Sequence, residues 1–136
     1  MKGETLSHSL EIESTADAVS SALDRLEVLL GEHGIDHDRC LELRLVSEEV
    51  LTNILKYADV PAMQAHIAID ARTLELEFRD RGAPFDPLAR VDPDLDQDVS
   101  ERPLGGLGIH LVKQLVEDVS YRREDGQNVL RLVNKR

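Results

Sequence analysis

The stretch "TLELEFRDRGAPFDP", residues 73–87, contains an alternating run, an acidic residue and an abrupt break. Apolar and polar side chains alternate up to the acid, which predicts a strand with one buried face. The strand would end at Asp80, and Gly82 and two prolines follow at once. An aspartate–glycine turn is common and would by itself explain such a break. The rest of the sequence therefore has to show whether the end of this strand has a function.

The segments around this strand predict an α+β fold. Alternating apolar and polar residues predict three strands before the break, at residues 5–12, 63–70 and 73–80. Apolar residues at helical spacing predict two helices, one from Ser14 or Thr15 to about Gly31 and one from Asp36 or Asp38 to about Ala58. Near the end of the chain, "SYRRE" and "NVLRLV" flank a "DGQ" turn and predict a closing hairpin. We therefore expect a two-layer α+β sandwich, with helices on one face of a mixed, mostly antiparallel sheet.

Length and composition favour a single well-solvated domain over residues 1–136. A chain of 136 residues has the usual size of one domain with one core. The net charge of −11 disfavours nucleic acid and anionic membrane surfaces as partners, because both attract clustered lysine and arginine. Cys40 is the only cysteine, and no apolar run resembles a signal peptide or a membrane span. We expect a cytoplasmic protein.

Residues 81–104 show no periodicity and separate the predicted strands from the last helix. Non-periodic segments of this length inside a compact domain are usually disordered or act as a functional lid. The part at about 86–104 carries six acidic residues and only two arginines. Repulsion among these acids and the nearby prolines would keep a lid open until a ligand orders it.

The second predicted helix contains "SEEVLTNILKYA", residues 47–58. Glu49 and Asn53 are four residues apart, so their side chains are neighbours on a helix. A carboxamide oxygen suits Mg²⁺, which uses few protein ligands, and a carboxylate can accept a proton from a hydroxyl. A solvated helix flank with an incidental glutamate and asparagine explains the same pattern, and taken alone it is favoured.

Two further signals would suit a nucleotide, although an ordinary turn is the favoured explanation of the first taken alone and a plain glycine-opened helix explains the second equally well. Asp80, at a strand end, could accept a hydrogen bond from an exocyclic amine such as that of adenine, and Gly82 would allow a planar ring to approach the backbone. In "PLGGLGIHLV", residues 103–112, glycines open a predicted helix, and the amides of such a loop form an anion site suited to phosphates. The loop lacks the lysine of a P-loop, and no strand leads into it as in a dinucleotide fold.

Together, "EVLTN", "DRGAPF" and "GGLGIHLV" resemble the N, G1 and G2 boxes of the GHKL (Bergerat-fold) ATPases, in the same order. The resemblance extends from the first helix to the end of the chain. The chain is most similar to the anti-sigma-factor serine kinases of bacterial partner-switching systems. Histidine kinases place a helix with a phospho-accepting histidine before this domain, whereas here a strand and a helix precede the N box.

The resemblance implies ATP and Mg²⁺ as cofactors and a role for each motif. Glu49 would be the general base, Asn53 would hold Mg²⁺, Asp80 would bind the adenine amine and Gly82 would admit the ring. The phosphates would be bound by backbone amides at Gly105, Gly106, Leu107 and Gly108. Many family members have a threonine before the last strand where this chain has "DGQNVLRL". Either Asn128 or water replaces that contact to the phosphates, or the contact is missing.

The resemblance also implies partners. An anti-anti-sigma protein would be phosphorylated on serine or threonine, and a sigma factor or another regulator would be sequestered, with a homodimer possible. Two other readings stay open: a nucleotide-gated binding module without phosphoryl transfer, and an α+β interaction domain that binds no nucleotide. Retention of Glu49 favours the enzyme, because nucleotide binding alone does not need this residue.

Overall fold

The computed structural model describes residues 6–89 and 112–135. Its strands are β1 (Leu6–Glu13), β2 (Ala62–Ile69), β3 (Thr73–Asp80), β4 (Asp118–Glu124) and β5 (Gln127–Lys135). Its long helices are α1 (Ala16–Glu32) and α2 (His37–Tyr57). A 3₁₀ turn at Pro87–Ala89 follows the break, and residues 112–115 are helical. The predicted α+β fold is confirmed.

The described strands form one sheet in the order β1-β2-β3-β5-β4. All four pairings are antiparallel, so the expected mixed sheet is antiparallel throughout the part of the chain that the structure describes. Short turns join β2 to β3 and β4 to β5, and strands joined in this way can only run antiparallel. The register places Asp80 of β3 directly opposite Asn128 of β5.

One face of the sheet packs against both helices. Alternate residues of β3 point into this layer, and Leu74, Leu76 and Phe78 are each 2% exposed. Asp80 is in phase with them and is also buried. The core consists mainly of leucine, isoleucine and valine from both layers, as expected for a chain with few aromatic residues.

The helices begin near the predicted positions. Thr15, one of the two predicted caps, accepts a hydrogen bond at Oγ1 from the amide of Ala18 at 3.1 Å, which satisfies a free donor of the first turn. Asp36 precedes α2 without a side-chain capping bond. Within residues 6–89 and 112–135, no helix is long and apolar enough to cross a membrane.

The other face of the sheet carries charged side chains. Arg79 contacts Glu77 at 2.6 Å, and Arg122 contacts the same carboxylate at 3.5 Å. Arg131 pairs with Glu75 further along the sheet. The alternation of charged and apolar residues in "TLELEF" therefore reflects one solvated and one buried face.

Candidate functional site

A cavity of about 210 Å³ opens at the end of the sheet where β3 stops. Its walls are the last turns of α2, the end of β3, the following turn and the facing parts of β4 and β5. Asn53, Asp80 and Asn128 supply polar groups to its lining. Complete sites for drug-sized ligands usually enclose about 300–1,000 Å³. The part of the cavity lined by the described residues therefore has room for a planar base.

All the aromatic residues of the chain line this cavity. The sequence has two phenylalanines, two tyrosines and no tryptophan, and the cavity is lined by Tyr57, Phe78, Phe85 and Tyr121. Tyr57 is 48% exposed and Phe85 is 41% exposed, so two large rings lie open to solvent at the cavity. Aromatic faces stack favourably on flat ring systems. This concentration of aromatic surface favours a planar ligand.

The carboxylate of Asp80 lies in the wall of the cavity and is 7% exposed. Its Oδ1 accepts hydrogen bonds from the amide of Gly82 at 2.8 Å and from Nδ2 of Asn128 at 3.0 Å. Among the described residues, no donor contacts Oδ2. One oxygen of the carboxylate is thus held by the protein, and the other remains an acceptor for a ligand amine.

Gly82 lies behind Asp80 and packs against the end of α2. A Cβ at this position would lie 2.9 Å from the carbonyl oxygen of Ala58 and 2.9 Å from Oδ1 of Asp80. Arg123 also donates a hydrogen bond to the carbonyl oxygen of Gly82 at 2.7 Å. The structure therefore gives the glycine a packing role that the sequence did not suggest. Its predicted role, admitting the ring of a base, stays a prediction.

Gly82→Ala is expected to destabilise the protein by about 1–3 kcal/mol, because the new methyl group must displace backbone or the Asp80 carboxylate. The same displacement should weaken nucleotide binding. Urea unfolding measures the first effect, and titration with ATP measures the second.

Gly31→Ala is the matched control for this change. A Cβ at Gly31 would meet nothing within 4 Å, and Gly31 lies inside α1. Alanine there should stabilise the protein by about 0.5–1 kcal/mol through helix propensity. Equal effects of the two substitutions would contradict the packing role of Gly82.

Glu49 and Asn53 form a connected pair on α2. Asn53 is 7% exposed and lines the cavity, and its side chain lies close enough to Glu49 to favour the charged form of that carboxyl. Within the described part of the chain, Oε1 of Glu49 is buried and has no hydrogen-bond partner. With its amide nitrogen turned toward Glu49, the carboxamide of Asn53 would offer its carbonyl oxygen to a cation. The unpartnered oxygen of Glu49 is available to accept a proton.

Burial raises the pKa of the Glu49 carboxyl, and the nearby Glu48 adds to this effect. Lys56 and the side chain of Asn53 act in the opposite direction. A carboxyl with a raised pKa is a better general base near neutral pH, since base strength increases with pKa.

Asn53 is suited to Mg²⁺ carried by a nucleotide rather than to a metal held by the protein alone. In the residues that the structure describes, no group of three or more histidine, cysteine, aspartate or glutamate side chains could hold a metal ion. Mg²⁺ typically takes one or two protein oxygens and fills the remaining positions with phosphate and water. A single carboxamide oxygen at the cavity fits this mode of binding.

Comparison with known proteins identifies the family. The sequence profile of the histidine kinase-like ATPase domain matches residues 12–134, which is nearly the whole chain. The chain belongs to this family. The predicted resemblance to the GHKL ATPases is thus confirmed.

Several relatives of this histidine kinase-like ATPase domain are named protein kinases. The serine/threonine-protein kinase BtrW of Bordetella bronchiseptica is 30% identical over 129 residues, which cover 92% of this chain and 91% of that protein. The serine-protein kinase RsbW of Bacillus cereus is 27% identical over 130 residues, with 89% and 81% covered. RsbW of Listeria monocytogenes is 25% identical over 129 residues, with 89% and 82% covered.

Solved structures share the fold of this ATPase domain. A Mycobacterium tuberculosis chain with RsbU and RsbW domains aligns with 96% of this chain at a TM-score of 0.65 and 16% identity. The match spans 33% of that longer chain. The SiaB–SiaC complex of Pseudomonas aeruginosa gives a TM-score of 0.57 and 15% identity, with 95% of this chain and 89% of the matched chain covered. Likeness at these identities shows the fold alone.

The histidine kinase-like ATPase domain brings part of the predicted site together. Asn53 and Asp80 line one cavity, and Glu49 lies one turn from Asn53 on the same helix. Gly82 supports Asp80 from behind. The predicted phosphate-binding residues and most of the lid lie outside the described residues: Gly105, Gly106, Leu107, Gly108 and the lid from residue 90 onward. The roles of all these residues stay predictions.

Sequence reasoning missed the aromatic residues of the site. Of the three alternatives left open for the phosphate contact of the family's threonine, the structure disfavours the one that uses the Asn128 side chain, because its carboxamide is fully engaged by protein groups. The position of Tyr57 four residues after Asn53, on the same side of a helix, was a usable signal. Phe85 and Tyr121 reach the cavity only through tertiary folding, which local sequence patterns do not report.

Proposed function

We propose that this chain is an ATP-dependent protein serine kinase that acts as an anti-sigma factor in a bacterial partner-switching system. One observation carries the proposal: three features occur together at the end of one sheet. They are the Asp80 carboxylate with only Oδ1 bound by protein donors, an aromatic lining, and the Glu49–Asn53 pair. Named relatives with serine kinase activity, matched over most of both chains, support it.

Each side chain has a place in this proposed activity. The free Oδ2 of Asp80 accepts a hydrogen bond from the adenine amine, and the aromatic residues pack against the base. Asn53 holds Mg²⁺, which offsets charge on the phosphates when bound. Glu49 accepts the proton of the attacking serine hydroxyl through its unpartnered oxygen. Amides at Gly105, Gly106, Leu107 and Gly108 would hold the phosphates.

The proposed substrate is an anti-anti-sigma protein, phosphorylated on serine or threonine. The proposed sequestered partner is a sigma factor or another regulator. We place the protein in the cytoplasm as one ATPase unit over residues 1–136, with a lid at about 86–104 and a homodimer as a possible assembly. The acidic lid would be ordered by the γ-phosphate, so ATP and ADP would present different surfaces to the two partners.

A binding test separates nucleotide sites from other interaction domains. ATP with Mg²⁺ is expected to raise the melting temperature, because a ligand that binds only the native state stabilises it, by about 2.7 kcal/mol at a hundredfold excess over Kd. No shift at millimolar ATP, together with no heat in calorimetry, would refute a nucleotide site.

A transfer test then separates kinase from binding module. Incubation with radiolabelled ATP and an anti-anti-sigma protein that binds this chain should label that protein on serine or threonine. Nucleotide binding with a stable partner complex but no transfer would instead identify a nucleotide-gated binding module.

A further inference from the structure

The side chain of Asn128 joins four elements of the site through its carboxamide. Oδ1 accepts hydrogen bonds from the amide of Phe85 at 3.1 Å and from Oη of Tyr121 at 2.6 Å. Nδ2 donates to Oδ1 of Asp80 at 3.0 Å and to the carbonyl oxygen of Ala83 at 2.9 Å. A carboxamide has two donor hydrogens and two acceptor lone pairs. All four positions are therefore filled by protein groups.

The orientation of this carboxamide is determined by the backbone. The amide of Phe85 can only donate, so it requires the oxygen of Asn128 on its side. The carbonyl of Ala83 can only accept, so it requires the nitrogen. Rotating the group by 180° would break both bonds and leave buried polar groups without partners, which is strongly unfavourable. One hydrogen of Nδ2 is bound to the carbonyl oxygen of Ala83, and the other is therefore directed at Oδ1 of Asp80.

This arrangement determines what Asp80 offers to a ligand. Two groups donate to Oδ1 of Asp80: the backbone amide of Gly82, in the turn after β3, and Nδ2 of Asn128, on β5. Because two donors hold Oδ1, the carboxylate of Asp80 cannot rotate freely. The orientation of Oδ2 is therefore fixed as well. Register supports the contact, because Asp80 and Asn128 are directly opposed across β3 and β5.

We infer that Asn128 is a positioning residue that makes the site selective for purines with an exocyclic amine over purines with a carbonyl group. The inference rests on the proposed function, since it concerns the base of the same nucleotide. The carboxamide of Asn128 has no donor or acceptor left for the base. It holds the Asp80 carboxylate so that an acceptor faces the six-position of the ring, where an amine is attracted and a carbonyl oxygen is repelled.

The test compares binding of ATP and inosine triphosphate, which differ at that six-position while carrying the same phosphates. For the unaltered protein we expect a preference for ATP of about 10-fold or more, the size of one hydrogen bond to a charged group. Asn128→Asp removes both donors and places a second carboxylate against Asp80. It should reduce the ratio of the two affinities at least fivefold, mainly through weaker ATP binding.

Asn134→Asp is the matched control. Asn134 is an asparagine on the same strand and the same face, it is 2% exposed, and it lies opposite Leu74 at the other end of β5. Its Oδ1 accepts a hydrogen bond from the amide of Glu117 at 2.7 Å. The substitution buries a carboxylate to a similar extent, so it should lower stability while leaving the ratio of affinities unchanged.

A second readout needs no nucleotide. In the free protein, hydrogen exchange at the amide of Gly82 should accelerate at least tenfold in Asn128→Asp, because Asp80 moves away from this donor. Asn134→Asp should not change it. If Asn128→Asp does not fold, Asn128→Thr serves in its place, since threonine suits a strand and its hydroxyl can replace only part of the contact.

Each result decides the inference. Loss of the ATP preference with faster exchange at Gly82 supports it. Equal weakening of both nucleotides would show a purely structural role and overturn it, as would an unaltered protein that binds both nucleotides equally. If the unaltered protein binds neither nucleotide, the proposed function fails separately. Unchanged exchange at Gly82 would then still refute the positioning role of Asn128.

Discussion

Glu49→Gln is expected to slow phosphoryl transfer to the partner serine by about a hundredfold to ten-thousandfold, the usual contribution of a general base. Glutamine keeps the shape of the side chain and its place beside Asn53, but it cannot take up the hydroxyl proton. ATP affinity should change by less than about threefold, because the base acts on the acceptor serine and not on the nucleotide. Single-turnover transfer and ATP titration measure the two quantities.

Glu48→Gln is the matched control, since Glu48 is the neighbouring residue, carries the same charge and is exposed. It should leave the transfer rate within about twofold, as expected for a surface change away from the reacting groups. If both substitutions slow transfer equally, the effect is one of general charge. If Glu49→Gln transfers phosphate at the normal rate, Glu49 is not the base.

Glu49→Gln is also expected to change the stability of the protein, by an amount that depends on pH. The folded protein raises the pKa of Glu49 above its unfolded value through burial, so folding favours the protonated form. The stabilising effect of this proton is complete below the unfolded pKa and is lost as pH rises through the folded pKa. Glu49→Gln should therefore be slightly more stable than the unaltered protein at pH 7, with no advantage near pH 4. Urea unfolding at the two pH values tests this sign.

The arrangement of strands and helices could be predicted because local periodicity reports burial directly. In "TLELEF" every second residue is apolar, and Asp80 is in phase with Phe78, so its position in the buried face followed from the same pattern. Asn53 followed in a similar way from helical spacing. These features depend only on neighbours within one element, which is where sequence patterns carry most information.

Features of the site that depend on pairing between distant strands could not be predicted. Asp80 meets Asn128 because β3 pairs with β5 in one register, 48 residues apart in sequence. No local pattern specifies that register. The tight contact of Gly82 with Ala58 likewise arises where α2 meets the turn after β3. The sequence pattern therefore predicts a ligand-binding role for this glycine and does not reveal its packing role.

The convergence of the aromatic residues has the same cause. Tyr57 comes from α2, Phe78 from β3 and Tyr121 from β4, and the cavity exists only after these elements are assembled. A sequence with two phenylalanines, two tyrosines and no tryptophan favours an aliphatic core, but its composition does not show where the four rings lie. That the few present all serve one site emerges from the assembled sheet and helices.

Asp80→Asn is expected to weaken ATP binding by about 10- to 150-fold, the value of a hydrogen bond between a ligand amine and a charged acceptor. The structure makes this substitution more informative than removal of the side chain. Two donors, the Gly82 amide and Nδ2 of Asn128, require an oxygen at the inner position. The new amide nitrogen must therefore replace Oδ2, where it presents a donor to the base.

A donor at that position repels the amine of ATP and attracts the carbonyl oxygen of inosine triphosphate. Asp80→Asn should therefore reverse the order of the two affinities, with little loss of stability because both inner hydrogen bonds are kept. Asp80→Ala is the contrasting variant: it leaves those donors without partners, which costs about 1–3 kcal/mol of stability, and should weaken both nucleotides. If Asp80→Asn binds ATP as tightly as the unaltered protein, the base does not contact this carboxylate, and the cavity at the end of β3 is not the base-binding site.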